Sequence, residues 1–289
     1  MDVSVIIVNY NTCKITQECI DSIYKYTFGV EFEIILVDNA SIDGSKEHFE
    51  KEKKIRYLYN SKNYGFGKAN NIGAKVSKGK YLFFLNSDTY FENNALQYYY
   101  EYAESHKNVG FIGSILQDVN GNPNGYGSSF PTKISELRKA LHLPKKNKNK
   151  LHEYNREPFE VDYVLGADMF VSSELYNRIN GFDEDFFMYY EESDMQFRSS
   201  KLGYKNIIIS GPAIVHLEGI SLGGKRISNK KRIMVETSHL MYQKKHNSKI
   251  VFYLFVLLYL IVKSPVLINS KYTLKENLAY LSTIIKFTI

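Results

Sequence analysis

The chain has 289 residues, 44% of them hydrophobic and 24% charged, with a net charge of +6, which excludes disorder over most of its length. That length allows one large or two modest domains with an ample core. No basic leader precedes the first strand-like run, and Cys13 and Cys19 match no metal-site or disulfide spacing, so two reduced thiols in a cytoplasmic protein without a cleavable signal are expected.

Residues 3–10 (VSVIIVNY) are apolar, rich in β-branched side chains and end in a polar turn, the pattern of a buried strand. Residues 12–26 follow with Ile15, Cys19, Ile20 and Ile23 at helical spacing, and residues 33–37 repeat the strand signal before the polar stretch from Asp38 to Ser45. Two strands flanking a helix predict a right-handed βαβ unit. A short strand over 55–60 leads to NYGFGKANNIG, where Gly65 and Gly67 have the GxG spacing but Asn70 stands where a dinucleotide fingerprint has its third glycine. An NAD site is therefore rejected. What remains is a glycine turn opening a helix, suited to close approach of a ligand or to a plain turn.

Residues 81–89 (YLFFLNSDT) read as the central strand, buried on both faces, with chemistry at its tip. Ligands of such sheets bind beyond the carboxyl ends of the strands, where Asp88 could offer oxygen to a divalent cation carrying phosphate. An Asp there also suits a simple helix N-cap. A helix over 94–105, a strand over 109–117 and a turn-rich 120–127 follow, and the basic KKNKNK of 145–150 reads as a mobile loop. Residues 161–171 are strand-like around Gly166, and a helix over 172–180 stops at Gly181.

The stretch 181–194 (GFDEDFFMYYEESD) sets Glu191, Glu192 and Asp194 directly after an aromatic run and before a helical pattern over 194–202. Acidic residues at a helix start complement its dipole. Aromatic burial beside them also raises a carboxylate pKa and suits a general base. Short strands over 207–209 and 213–215 end at His216, a structural histidine or a ligand.

Positive charge is concentrated in two stretches. Residues 131–157 hold eight Lys/Arg against three Glu, and residues 225–249 hold eight against one, patches suited to phosphates, nucleic acid or anionic lipid. Thirteen uncharged residues, 250–262, follow the second. About 20 apolar residues are needed to span a bilayer, so this run predicts a helix lying at the membrane surface with its basic flank on anionic lipid, the alternative being a buried helix that completes the domain.

In chain order, VSVIIVNYN, VDNASIDGS, NYGFGKANNIGA, FLNSDT, GADMF, GFDEDFFMYYEESDMQFR and HLEGIS resemble the family 2 glycosyltransferases, especially the rhamnosyltransferase-like members, over residues 3–221. The resemblance implies a glycosyltransferase A-type α/β fold. Its mostly parallel, nucleotide-sugar-binding sheet would be flanked by helices, with a catalytic domain over 1–222 and a helical, membrane-associating extension over 223–289. It implies an inverting, Mn2+- or Mg2+-dependent transfer from a nucleoside-diphosphate sugar, dTDP-rhamnose being one candidate, to a glycan or lipid-linked acceptor in cell-surface polysaccharide assembly. By position Asp38 would meet the nucleobase with Val8, Tyr10 and the Gly65 turn. Asp88 matches the metal-binding Asp of the family's DXD motif, whose leading Asp is Asn86 here, so His216 is drawn in as a further metal ligand. Glu192 stands where most relatives have the catalytic Asp and would be the base, with Glu191 and Asp194 in support. The partners implied are the donor, the acceptor and the inner face of the cell membrane, with no nucleic acid. A nucleotide-sugar-binding protein without catalysis and a nucleotidyltransferase are the alternatives, although no Gly-rich Lys/Arg signature near the N-terminus favours the latter.

Overall fold

The computed structural model describes residues 1–143, 157–217, 227–268 and 271–287. The expected loop over 145–150 and the last residues of HLEGIS lie outside the described residues. The chain divides into two compact units. One comprises Met1–Phe130, Lys150–Phe187 and Glu192–Ser221, the other Pro131–Asn149, Met188–Glu191 and Leu222–Ile289.

In the first unit β1 (Val3–Asn9), β2 (Phe32–Asp38), β3 (Arg56–Tyr59) and β4 (Tyr81–Asn86) run parallel in the order β4-β1-β2-β3. They are joined by α1 (Cys13–Tyr26), a short α2 (Ser45–Phe49) and α3 (Phe66–Val76). Helix α1 buries Cys19, Ile20 and Ile23, and its first amide is capped from a distance, Cys13 N donating to Asp43 Oδ2 at 2.9 Å. Side chains alternate along the strands. Val5, Ile7, Phe83 and Leu85 enter one core and Ile6, Leu82 and Phe84 the other, so the sheet is buried on both faces.

After β4 the chain passes to a second, four-stranded sheet through β5 (Thr89–Phe91), then through α4 (Ala95–Ser105) back to β6 (Val109–Ser114) of the main sheet. Strands β7 (Leu116–Gln117) and β8 (Pro123–Gly125) pair antiparallel, in keeping with the turn-rich sequence, and β9 (Gly127–Ser128) follows. Helix α5 (Lys133–Ala140) belongs to the second unit. Then come β10 (Phe159–Val161), β11 (Tyr163–Val164), β12 (Asp168–Ser172), α6 (Ser173–Arg178), α7 (Glu191–Ser200), β13 (Lys205–Ile209) and β14 (Ile214–His216). Strand β12 lies between β4 and β6 and is antiparallel to both, which makes the eight-stranded main sheet mixed at its centre.

Three apolar runs read as single strands are divided, each where the chain changes sheet. Residues 81–89 become β4 and β5, with Ser87 and Asp88 in the turn. Residues 109–117 become β6 and β7. Residues 161–171 become the end of β10, β11 and β12, broken at Asp162, whose Oδ2 accepts from Phe130 N at 2.8 Å, and at Gly166. Periodicity cannot register such changes because both pieces are equally apolar. The helix expected over 194–202 starts three residues earlier, so Glu191, Glu192 and Asp194 all fall in its first turn.

The second unit is built on α8 (Asn229–Lys245), α9 (Lys249–Lys263), a 3-10 turn at Ser264–Ile268 and α10 (Leu274–Ile285). Leu240, Phe252, Phe255, Val256, Tyr259, Tyr280, Leu281 and Ile284 form its core, with Leu137 and Ala140 of α5 packed against it. Helix α10 opens with a complete capping box between Thr273 and Glu276. The far side of α9 stays exposed, with Ile250 at 75%, Leu254 at 57% and Ile261 at 62%.

Candidate active site

Asp88 sits in the turn that carries the chain from β4 to β5. Strand β14 pairs antiparallel with β5, placing His216 opposite Thr89, and Leu217 N donates to the Asp88 carbonyl at 2.9 Å. This register brings His216 Nε2 to 3.2 Å from Asp88 Oδ1 and 3.5 Å from Asn86 Nδ2. Sequence positions 86, 88 and 216 thus meet at the carboxyl end of the central strand. Two ligands about 2.1 Å from an octahedral cation, at right angles, stand about 3.0 Å apart, so the Asp88–His216 pair fits a shared divalent ion. The same spacing suits a hydrogen bond from the imidazole to the carboxylate. No group of three or more His, Cys, Asp or Glu that could hold a metal occurs among the described residues, so an ion here would rely on oxygens from a bound phosphate.

The loops at the ends of β1 and β2 are knit by amide side chains. Asn9 Oδ1 accepts from the Thr12 hydroxyl at 2.7 Å and the Thr16 hydroxyl at 3.0 Å, while its Nδ2 donates to Ser41 Oγ at 3.1 Å. Asn39 donates to Asn63 Oδ1 and the Gly65 carbonyl and accepts from Tyr64 N and Asn60 Nδ2, joining the loops that follow β2 and β3. Asp38 is fully buried, with Oδ1 accepting from Ser41 N and Oδ2 from the Tyr57 hydroxyl, each at 2.8 Å. Its carboxylate therefore shapes the turn that follows β2. Val8 is half-buried at the end of β1, and the Tyr10 ring beyond it is 49% exposed.

Gly65 has φ +86°, and a Cβ there would lie 2.2 Å from the Phe187 carbonyl oxygen. Phe66 N donates to that oxygen at 2.9 Å, so the glycine lets the start of α3 close on the 182–187 loop.

Glu192 lies against Gly166, where an added Cβ would stand 3.9 Å from Glu192 Cβ. The next residue, Ala167, accepts from Asn86 N at 3.0 Å, so Glu192 borders the same end of the sheet as Asn86 and Asp88. Glu192 Oε2 is buried without a hydrogen-bond partner among the described residues. Burial pushes the Glu192 carboxyl above the usual carboxylate range, opposed by backbone N–H groups of Glu192 and Ser193. Glu191 is 4% exposed and belongs to the second unit. Asp194 is ion-paired to Arg198, with Oδ2 at 2.8 Å from Nη2 and 2.9 Å from Nε. Arg198 also holds the Ile179 and Gly181 carbonyls, so this pair ties α7 to the turn after α6.

One carboxylate escaped sequence reading. Asp168 of β12 is buried, its Oδ2 accepting from the Tyr99 hydroxyl, Ser114 N and Ser114 Oγ, each at 2.7 Å. Desolvation pushes its carboxyl up to about 7 against those hydrogen bonds. Its Oδ1 has no hydrogen-bond partner among the described residues. Nothing in GADMF marks such a residue, because its partners lie 54 and 69 positions away.

A family model described as glycosyl transferase family 2 matches residues 4–165. The chain belongs to that family. Over 204 residues it is 28% identical to a low-salt glycan biosynthesis hexosyltransferase, Agl10, of Haloferax volcanii, an alignment that takes in 69% of this chain and 62% of that one. The chain thus spans less than two thirds of that relative. It is also 23% identical over 211 residues to an N-acetylglucosaminyl-diphospho-decaprenol L-rhamnosyltransferase of Mycobacterium tuberculosis, covering 66% of this chain and 68% of the other. Among solved structures, a mannosyltransferase of Pyrobaculum calidifontis in complex with GDP-Man and Mn2+ is similar with a TM-score of 0.59 and 15% identity, covering 99% of this chain and 86% of that one. At that identity the likeness shows the fold, and the glycosyltransferase A-type α/β architecture implied by the motif order is the one observed.

Proposed function

We propose that this family 2 glycosyltransferase moves a sugar from a nucleoside-diphosphate donor to a hydroxyl of a glycan or lipid-linked acceptor, inverting the anomeric centre. The observation that carries this reading is the meeting of Asp88 and His216 at the end of the central strand that Glu192 borders through Gly166. In a single displacement the acceptor oxygen attacks the anomeric carbon, its proton passes to a Glu192 carboxylate oxygen, and the bond to the diphosphate breaks. Only one essential carboxylate is then needed. Asp88 and His216 would hold Mn2+ or Mg2+, which would supply neutralising charge to the diphosphate. Val8, Tyr10 and the Gly65 turn would line the nucleotide pocket, with Asp38 acting on it through the turn it holds. Asp194 supports α7 through Arg198. The GDP-Man and Mn2+ complex of the mannosyltransferase supports the donor class and the cation, and the rhamnosyltransferase relative makes dTDP-rhamnose one candidate donor.

The test is a panel of UDP-, GDP- and dTDP-sugars, each with Mn2+ or Mg2+. One donor should raise the melting temperature by mass action and release its nucleoside diphosphate on incubation. No shift with any donor rejects the donor class, whereas binding with no release at any acceptor concentration points to a nucleotide-sugar-binding protein.

The C-terminal unit fits attachment to an anionic membrane. Lys249–Ile268 is the one stretch among the described residues long and apolar enough to cross a bilayer. Helix α9 has only 15 residues, about 22 Å of rise, and buries one face in its own unit, which favours lying in the interface. The intact chain should float with anionic vesicles, and Leu254→Glu with Leu258→Glu on the exposed face should reduce flotation at least about tenfold. Equal flotation of both forms would count against this attachment.

A further inference from the structure

Asp168 is fully buried, and no step of the transfer uses it. It lies opposite Leu85 in the pairing of β12 with β4, one position before Asn86, and the carbonyl of its neighbour Ala167 accepts from Asn86 N at 3.0 Å. Asn86 Nδ2 in turn lies 3.5 Å from His216 Nε2. Side chains two apart on a strand share a face, so Asp168 points the same way as Phe170 on β12, and His216 the same way as Ile214 on β14. Phe170 and Ile214 belong to one core, together with Leu85 and Tyr99. The carboxylate and the imidazole thus face the same layer of the first unit from two different sheets.

The three groups that donate to Asp168 Oδ2, the Tyr99 hydroxyl, Ser114 N and Ser114 Oγ, each at 2.7 Å, suit an ionised acceptor. Oδ1 has no hydrogen-bond partner among the described residues, so part of that charge is desolvated without compensation. Desolvation is the largest influence on this carboxyl and opposes ionisation, whereas the hydrogen bonds and positive charge on His216 favour it. Electrostatic interaction is mutual. An ionised Asp168 therefore favours positive charge at His216, across a core whose low dielectric screens little. A buried carboxylate that is incompletely paired costs stability while no cation is bound. We propose that Asp168 is a positioning residue of the cation site, a buried counter-charge that strengthens divalent-cation binding at Asp88 and His216 without coordinating the ion. This rests on the reading of Asp88 and His216 as that site and adds to it a residue that the sequence motifs do not mark.

The experiment uses the full chain at about pH 8, above the value of about 7 to which the Asp168 carboxyl is raised, so that it starts ionised. Calorimetry with UDP, GDP and dTDP, each with and without Mn2+, reads the cation-dependent part of nucleotide affinity, and melting temperature reads stability. The parent is compared with Asp168→Asn, Asp168→Ser, Phe170→Leu and Asp88→Asn. Asp168→Asn and Asp168→Ser remove the charge with side chains of different size, and each should weaken the cation-dependent affinity about tenfold while metal-free nucleotide affinity stays within about twofold. Phe170→Leu disturbs the same core and keeps the charge, so it should lower the melting temperature and leave the cation-dependent affinity in place. Cation-dependent affinity in both Asp168 variants within about twofold of the parent overturns the proposal. A loss that merely follows the melting temperature, with Phe170→Leu losing as much, overturns it too. A chain that folds with neither Asp168 substitution needs that residue for its structure, which also overturns it. No Mn2+-dependent affinity in the parent, or an undiminished one in Asp88→Asn, fails the cation site itself, and the role of Asp168 fails with it.

Discussion

Glu192→Gln is expected to lower sugar transfer by about 10²- to 10⁴-fold while leaving nucleotide affinity unchanged, because a positioned base acts in the transition state and not in donor binding. Gln keeps the length and shape of the side chain, and Glu192 Cβ and Cγ would keep their place beside Gly166. Transfer by the parent should fall as pH drops through a value above the usual carboxylate range, since burial raises the Glu192 carboxyl and only its deprotonated form accepts the acceptor proton. The pH–rate profile of the parent and single-turnover rates of the variant check both parts. Asp194→Asn serves as the contrast, because Asp194 is ion-paired to Arg198 and its loss should appear chiefly as a lower melting temperature. Transfer at near the parent rate by Glu192→Gln, with Glu191→Gln or Asp194→Asn inactive, would move the base to a neighbour.

Asp88→Asn is expected to abolish the part of nucleoside-diphosphate affinity that depends on Mn2+. The carboxylate faces His216 Nε2 at 3.2 Å, and an amide there offers one neutral oxygen in place of a charged pair. The fold should survive, because the contact of residue 88 that pins β14 is its backbone carbonyl, which accepts from Leu217 N. Calorimetric titration with and without Mn2+ reads the difference. A cation effect worth tenfold is about 1.4 kcal/mol, well within reach of the method, and its persistence in the variant would remove Asp88 from the site.

The motif-bearing turns were legible because each is punctuated locally. NYGFG could be read as a glycine turn from its spacing alone, and Gly65 does sit at positive φ, although what demands it is the Phe187 carbonyl, which sequence could not reveal. Strands β1, β2 and β4 follow from uninterrupted apolar runs and α1 from period-3.6 spacing, whereas the five-residue α2 was not expected because it is too short to show a period. Errors fell where an apolar run crosses between sheets, as at Ser87–Asp88 and Gly166, since hydrophobicity reports burial and not the identity of the neighbouring strand.

By itself the sequence determined strands β1 to β4, helices α1, α3, α4 and α6, the family, and the polar tips at which chemistry is to be sought, because these depend on residues close together in the chain. The tertiary structure decided which tips meet. The antiparallel pairing of β14 with β5 sets His216 beside Asp88, 128 positions apart. The insertion of β12 between β4 and β6 buries Asp168 under Tyr99 and Ser114. Each of these depends on desolvation and on partners supplied from distant segments, and a carboxylate has no raised pKa and no ligand geometry until the rest of the chain has closed around it.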